Sequence, residues 1–421
     1  MSPQPLTMSA SYLATVRGLR ELHELTATGR LDSPEAEADA VRDATDAPWR
    51  ALTEEEKRRI SGLSEDLYLI TDPAQTAVKE KNPQSQARLV DVYQARQRGE
   101  WDRVFELLRR WGAYLDPSLL SYLRGATWVE AGDPATAAIF YKHASELQPD
   151  NGNYLALYLN TLNKVASSEA QRRAEEILRE PDKFQPVVVA HASNIMFDLA
   201  KELPEAEAAK FFRKLIPKLE SALGKVEQGD EGGVDGSTFS MACALLGFCH
   251  EFLGENQAAL GYYSKGLTVN PTNDALLVAR GILLYGESPR AIDDFRLAIQ
   301  QGSTLVWPYF FLAHYHVVTG QFEQCRHLCE RGLEKGGSDA VNSELAEWLA
   351  ISQSELGFPL DMVRGSFDAS IRFDPSNERA RRNLAAFEAA TRPIRAGLYE
   401  TRTRAAVRAS GLSARRLKRA A

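Results

Sequence analysis

The sequence predicts an all-α solenoid: helix pairs stacked in register, preceded by a small helical segment. Three observations carry this. A small or β-branched residue is followed four positions later by a larger or equally apolar one at Val104/Leu108, Ala137/Tyr141, Ala259/Tyr263, Ala291/Phe295, Cys325/Cys329 and Val363/Phe367. Neighbouring first members of these pairs stand 33, 32, 34 and 38 residues apart. A glycine precedes a helix stop by seventeen residues three times: Gly132 before Pro149, Gly254 before Pro271, and Gly320 before Gly337. Between these marks apolar residues recur every three or four positions, which is helical spacing.

Each mark has a packing reason. Gly254 closes a first helix, because only glycine enters the left-handed cap without a Cβ clash. Ala259 lets the second helix come close, and Tyr263, one turn later on the same face, fills the space that remains. Pro271 ends the second helix. The first helices agree, with Gly247 and Ala313 at the close crossing in "LLGFCHEFLG" and "FLAHYHVVTG". One such pair cannot bury its apolar face alone, so neighbours must stack.

A period near 34 is the length of a helix–turn–helix repeat. On these residues the chain resembles the tetratricopeptide repeat (TPR) family. The likeness is strong over 118–150 and 240–377 and weaker over 85–117. It implies a TPR-type right-handed superhelix whose first helices line a concave groove for an extended peptide or a helix of another protein.

The expected organisation follows in order. Residues 1–75 read as a helical N-terminal segment, a cap over the open end of the array. "TVRGLRELHELTATG" forms a helix, "SPEAEADAVRDAT" opens on Ser33 and Pro34, and "TEEEKRRISGL" carries a Thr53…Glu56 capping box. Trp49 falls in the connection and is expected to anchor that core. Residues 85–227 form the first array, with period lost but helices kept after residue 150. The stretch 228–237, "QGDEGGVDGS", is a Gly/acidic loop and the best hinge. Residues 238–377 are the second array, 378–391 a final capping helix, and 392–421 a basic tail.

Composition narrows the class. Of 421 residues, 44% are apolar and 25% charged, as in an ordinary water-exposed protein. No secretory leader is expected from the first residues, and no stretch of about 18 uncharged apolar residues suggests a membrane span. Four cysteines, Cys243, Cys249, Cys325 and Cys329, suit reduced thiols and a cytoplasmic setting. Net charge is −7, but residues 392–421 hold nine bases against Glu400, a local +8 that leaves −15 for residues 1–391.

Chemistry is weakly signalled, and no cofactor, metal or catalytic residue is expected. Cys325, His327 and Cys329 lie close together in sequence. Yet His327 falls on another face of the helix, and the cysteines occupy packing positions. "GDEGGVDG" has neither a preceding strand nor a following Gly-Lys-Ser/Thr, so it is no phosphate loop. His314 and His316 face apart, without a carboxylate partner in sequence.

The family's geometry places Tyr122, Phe248, Phe252, Ile282, Trp307, Phe310, His314 and Trp348 on the groove wall, with Val129, Val278, Tyr285, Val317 and Glu355 beside them. This wall is aromatic and apolar. It lacks the Lys, Arg and Asn with which chaperone-tail-binding members clamp a terminal carboxylate, so that subtype is rejected. The wall binds a segment of another protein, or the chain covers it itself; the sequence leaves both open. The tail bases Arg402, Arg404, Arg408, Arg415, Arg416, Lys418 and Arg419 give an alternative. They would make a weak, salt-sensitive contact with nucleic acid or the ribosome, with an anionic membrane, or with the chain's own acidic body. A merely solvated tail is the plain reading.

Overall fold

The computed structural model describes residues 4–31, 37–71, 83–227 and 236–389. Among these residues there are twenty α-helices, one 3-10 turn at Pro181–Lys183 and no β-strand. Contacts divide the chain into two compact units. Unit 1 is Met1–Leu203 with Ser221–Gly233, and unit 2 is Pro204–Glu220 with Val234–Ala421. Helix α11, Glu205–Glu227, contributes to both.

Unit 2 is a series of helix pairs. They are α12 (Gly236–Phe252) with α13 (Asn256–Val269), α14 (Asp274–Leu284) with α15 (Arg290–Gln300), α16 (Trp307–Val318) with α17 (Phe322–Lys335), and α18 (Asp339–Glu355) with α19 (Leu360–Phe373). Helix α20 (Glu378–Ala389) packs on α19 and closes the series. Within each pair the turn holds a glycine at positive φ: Gly254, Gly286, Gly320 and Gly357, at 82°, 85°, 71° and 74°. Their spacings of 32, 34 and 37 residues restate the sequence period.

All twelve residues of the small/large pattern are 4% exposed or less. The reason for the first-helix glycines is visible in three places. A methyl group added at Gly125, Gly247 or Gly281 would lie 2.7, 2.2 and 2.7 Å from the rings of Tyr141, Tyr263 and Phe295 respectively. Where the second helix carries the smaller Cys329 instead of a ring, the residue in register on the first helix is Ala313, and both are fully buried. Glycine and ring are therefore one packing unit. Gly247→Ala is expected to lower the stability of unit 2 by about 1–3 kcal/mol through overpacking, read as a shift of the urea midpoint at unchanged slope.

Unit 1 repeats the design in α4 (Pro83–Arg98) with α5 (Trp101–Gly112) and α6 (Pro117–Ala131) with α7 (Pro134–Leu147). Gly99 and Gly132 stand at φ 70° and 96° in the turns. Asp116 and Asp133 accept from backbone N–H groups at the starts of α6 and α7, replacing bonds that a helix start lacks. Helices α8 (Gly152–Val165), α9 (Ser167–Arg179) and α10 (Pro186–Lys201) pack onward from α7.

The N-terminal helices α1 (Ala10–Ala27), α2 (Glu37–Arg50) and α3 (Glu54–Thr71) are held against this array. The capping box is formed: Glu56 N–H donates to Thr53 Oγ1 at 3.2 Å, and Thr53 N–H donates to Glu56 Oε2 at 3.0 Å. Leu6 N–H donates to the Ala131 carbonyl at 2.9 Å, and Trp101 Nε1–H to the Gln4 carbonyl at 3.0 Å. Arg59 forks onto Asp102 at 2.6 and 2.7 Å, Arg20 meets Asp133 at 2.9 Å, and Asp66 pairs with Arg124 in the interior. Trp49 corrects the sequence reading. It lies inside α2, one residue after Pro48, and is only half-buried. The helix continues through Pro48 to Arg50. The bundle core is Tyr12, Ile60, Leu63 and Leu67 instead. Ser33 and Pro34 lie outside the described residues.

Candidate functional site

The first helices of unit 2 carry the residues that the sequence assigns to a groove. Phe248 and Phe252 on α12, Ile282 on α14 and His314 on α16 are half-buried. Trp307, Phe310 and Trp348 are buried, at 4%, 3% and 5% exposure. These three are therefore not an open stripe. Phe310 lies 4.9 Å from Trp348 and 5.9 Å from Trp307 between ring centroids, and Trp348 lies 5.2 Å from His314. His314 rests on Trp348, whereas Phe248 packs on Tyr263 at 5.5 Å and Phe252 on Phe212 at 4.9 Å. The burial of the three rings in the hydrophobic core explains why the periodicity alone did not show them as covered. Tyr122 belongs to unit 1, half-buried, with its ring 5.6 Å from Tyr154 and 6.2 Å from Tyr141.

Two features of this face were not read from the sequence. Tyr285 Oη and His314 Nδ1 share a hydrogen bond at 2.7 Å, beside a cavity of about 530 Å³ that Tyr285, Ile292, His314 and Val318 help to line. The cavity has a sequence cause. Helices α14 and α15 have eleven residues each, the shortest pair in the unit, and the Tyr285–Pro289 turn leaves space beside the end of α16. The separation of Gly281 from Phe295, fourteen residues rather than the sixteen of Gly247 and Tyr263, was the available signal.

The second feature is ionic. Glu347 is fully buried and accepts from Arg379 Nε at 2.7 Å, Asn383 Nδ2 at 2.8 Å and Asn377 Nδ2 at 3.3 Å. Arg280 forks onto Asp294 at 2.8 and 2.7 Å, both almost fully buried. The guanidinium on the α14 first helix is thus committed inside the unit to the carboxylate of its own helix pair.

Candidate chemistry resolves into packing. Cys325 and Cys329 are fully buried with sulfurs 3.8 Å apart, and burial raises the Cys329 thiol well above its ordinary range. Burial alone lifts Cys249 to about 12. His327 is exposed and lies against Glu323 at 3.2 Å, turned away from both sulfurs. No cluster of three or more His, Cys, Asp or Glu that could hold a metal occurs among the described residues. Ser121 Oγ and His143 Nδ1 stand 2.8 Å apart in unit 1, the geometry of a nucleophile and its base. Ser121 is buried, however, and burial depresses His143 to about 4, so the pair is a weak base beside an enclosed hydroxyl. No described helix is long and apolar enough to cross a membrane. The basic tail, Arg392 onward, and nearly all of the 228–237 loop lie outside the described residues.

The geometry of His314 makes a pH prediction. Burial holds its pKa down to about 4, with the Arg379 charge adding to the effect. The unfolded chain takes up this proton near pH 6.5 and the folded chain only near 4. Stability therefore falls as pH drops through that window and is level above it. Between pH 7.5 and 5 the expected loss from this group is about 2 kcal/mol. Urea titrations of the intact chain and of His314→Gln check it, the variant losing less.

No protein-family model matches this chain. No curated protein matches it either. Among solved structures it is similar to the APC/C hetero-tetramer Cut9–Hcn1, at 13% identity and a TM-score of 0.37, over 93% of this chain and 79% of that one. It is similar also to yeast Tom70, at 12% identity and a TM-score of 0.25, over 73% of this chain and 81% of that one.

Proposed function

We propose that this chain is a non-enzymatic scaffold of the TPR type that takes an apolar or amphipathic segment of another protein along the first-helix face of unit 2. One observation carries the reading. Phe248, Ile282 and His314 are half-buried on successive first helices, and the buried ring cluster of Trp307, Phe310 and Trp348 lies beside His314, with no mobile charged side chain on α16. A rigid aromatic cluster is already ordered, so a segment laid beside it costs little of the chain's own conformational entropy. The cavity beside Tyr285 and His314 is of a size to accept one large side chain, with the Tyr–His pair as a polar contact at its mouth. The contact residues are Phe248, Phe252, Ile282 and His314, with the buried Trp307, Phe310 and Trp348 cluster beside His314. Tyr122 would serve a separate face in unit 1. Four buried free thiols favour a reducing compartment such as the cytoplasm.

Helix-in-groove and extended-peptide recognition both rest on a few apolar anchors. Ile282→Glu places a charge in the middle of the strip and is expected to weaken binding of library-selected peptides at least ~10-fold, equivalent to about 1.4 kcal/mol. A Tm within about 2 °C of the parent shows that the fold persists. A peptide set bound equally by both proteins removes this face as the site.

A further inference from the structure

In unit 1 the turns within helix pairs are covered by the chain's own N-terminal helices. Twice an arginine of those helices meets an aspartate at the start of a second helix. Arg59 of α3 forks onto Asp102 of α5 at 2.6 and 2.7 Å, and Arg20 of α1 meets Asp133, the cap of α7, at 2.9 Å. Beside Asp102, Trp101 is only 4% exposed, and its Nε1–H donates to the Gln4 carbonyl. Pro5 stands 3.3 Å from where a methyl on Gly132 would lie. Trp101 and Asp102 open α5, three and two residues before the small-residue position Val104.

The same register holds an apolar residue and an acid twice in unit 2: Phe322 and Glu323 before Cys325, and Leu360 and Asp361 before Val363. The two copies differ in what they meet. Phe322 is half-buried, and Glu323 is taken by Arg326 at 2.7 Å and His327 at 3.2 Å. Leu360 is 67% exposed, and Asp361 is exposed and pairs with no cation among the described residues. Leu356 and Met362 on either side are exposed as well, and a methyl on Gly357 would meet nothing within 4 Å. Single apolar residues are scattered over any protein surface. Three large ones exposed within seven residues of one turn, around an unpaired carboxylate, are a different case.

Unit 1 indicates what such an edge takes. Arg59 stands next to Ile60 and one turn before Leu63, both buried, so the cation that meets Asp102 rides on an amphipathic helix. A guanidinium fits a carboxylate with two parallel hydrogen bonds, which a lysine ammonium cannot supply. We propose that the Leu360–Asp361 edge of unit 2 binds in trans an arginine-bearing amphipathic helix of another protein, as the Trp101–Asp102 edge of unit 1 holds the N-terminal helices in cis. The edge belongs to a turn and a second helix, so it is a surface separate from the first-helix face, and the two can fail independently.

The test titrates a labelled synthetic peptide of residues 53–71, helix α3 with its Thr53 cap, into the full chain. One-to-one binding is expected, with amide hydrogen exchange over 356–363 slowed at least ~5-fold. Asp361→Arg, at an exposed position where the Tm should stay within about 2 °C of the parent, is expected to weaken binding at least ~10-fold. The peptide carrying Arg59→Glu should bind that variant and not the parent, a charge swap that reads the pair itself and not a general loss of structure. No saturation up to ~1 mM peptide, or affinity indifferent to Asp361→Arg, overturns the proposal. So does protection confined to 99–104, which would mean that the peptide only replaces the chain's own α3 in unit 1. Self-association of the chain that Asp361→Arg abolishes would give the edge to a second copy and overturn binding of another protein there. Loss of the α3 peptide in Ile282→Glu would move it to the first-helix face and overturn the assignment to this edge.

Discussion

Replacing Asp66 by alanine is expected to cost unit 1 about 3–5 kcal/mol, the range for removing one partner of a buried ion pair. Asp66 on α3 and Arg124 on α6 are each about 5% exposed in their side chains and pair directly. Burial pushes the Asp66 carboxyl up to about 6 against the pull of Arg124, and the same burial lowers the Arg124 guanidinium. Alanine at 66 leaves that guanidinium in an apolar interior with Arg109 as a nearby like charge and Nε already lacking a partner. The double change Asp66→Leu/Arg124→Met removes both charges and is expected to keep most of the stability. Denaturant unfolding of the three proteins checks this. A loss under about 1 kcal/mol for Asp66→Ala would mean that the N-terminal helices are held by their apolar core, and that the ion pair only orients them.

The second large effect is expected at Glu347→Ala. This carboxylate, fully buried on α18, is the common acceptor for Arg379, Asn377 and Asn383 at the start of and within α20. Removing it leaves Arg379 with Glu344 alone and Asn377 with Ser343, and takes from Asn383 its buried acceptor, for a loss of about 2–3 kcal/mol. Because the donors lie on α20 and its lead-in, the damage should be local: α20 amides exchange faster while α12–α17 keep their protection. Uniform acceleration across unit 2 would show instead that α20 and the preceding pairs unfold together.

The all-helical repeat fold was legible because its marks are local. A glycine that must take positive φ at Gly254, an alanine that must be small at Ala259 and a ring that must fill the gap at Tyr263 recur at a set interval, and each has a geometric cause within one helix pair. The capping box at Thr53 and Glu56 was readable for the same reason. What escaped the sequence is long-range. Nothing local marks Asp66 as the partner of Arg124, fifty-eight residues on, or Glu347 as the acceptor of groups thirty or more residues later. For the candidate residues the sequence shows the helix each stands on and not its exposure. Helical phase put Trp307, Phe310 and Trp348 on the first-helix face, but burial is decided by the neighbouring helices that cover it. Trp49 went wrong in the opposite sense: its sequence position reads as a core anchor in a connection, whereas it lies inside α2 and is only half-buried.

The central claim is that the first-helix face of unit 2 takes a segment of another protein through apolar contacts. The most direct measurement is the affinity of peptides selected from a random library on the intact chain, compared with Phe248→Ala/Ile282→Glu at roughly 0.05 and 0.5 M salt. Apolar- or aromatic-rich peptides are expected, at least ~10-fold weaker on the variant and nearly indifferent to salt. Binding that survives the variant but falls steeply with salt would contradict the claim, because such binding tracks charge and counterion release rather than the aromatic strip.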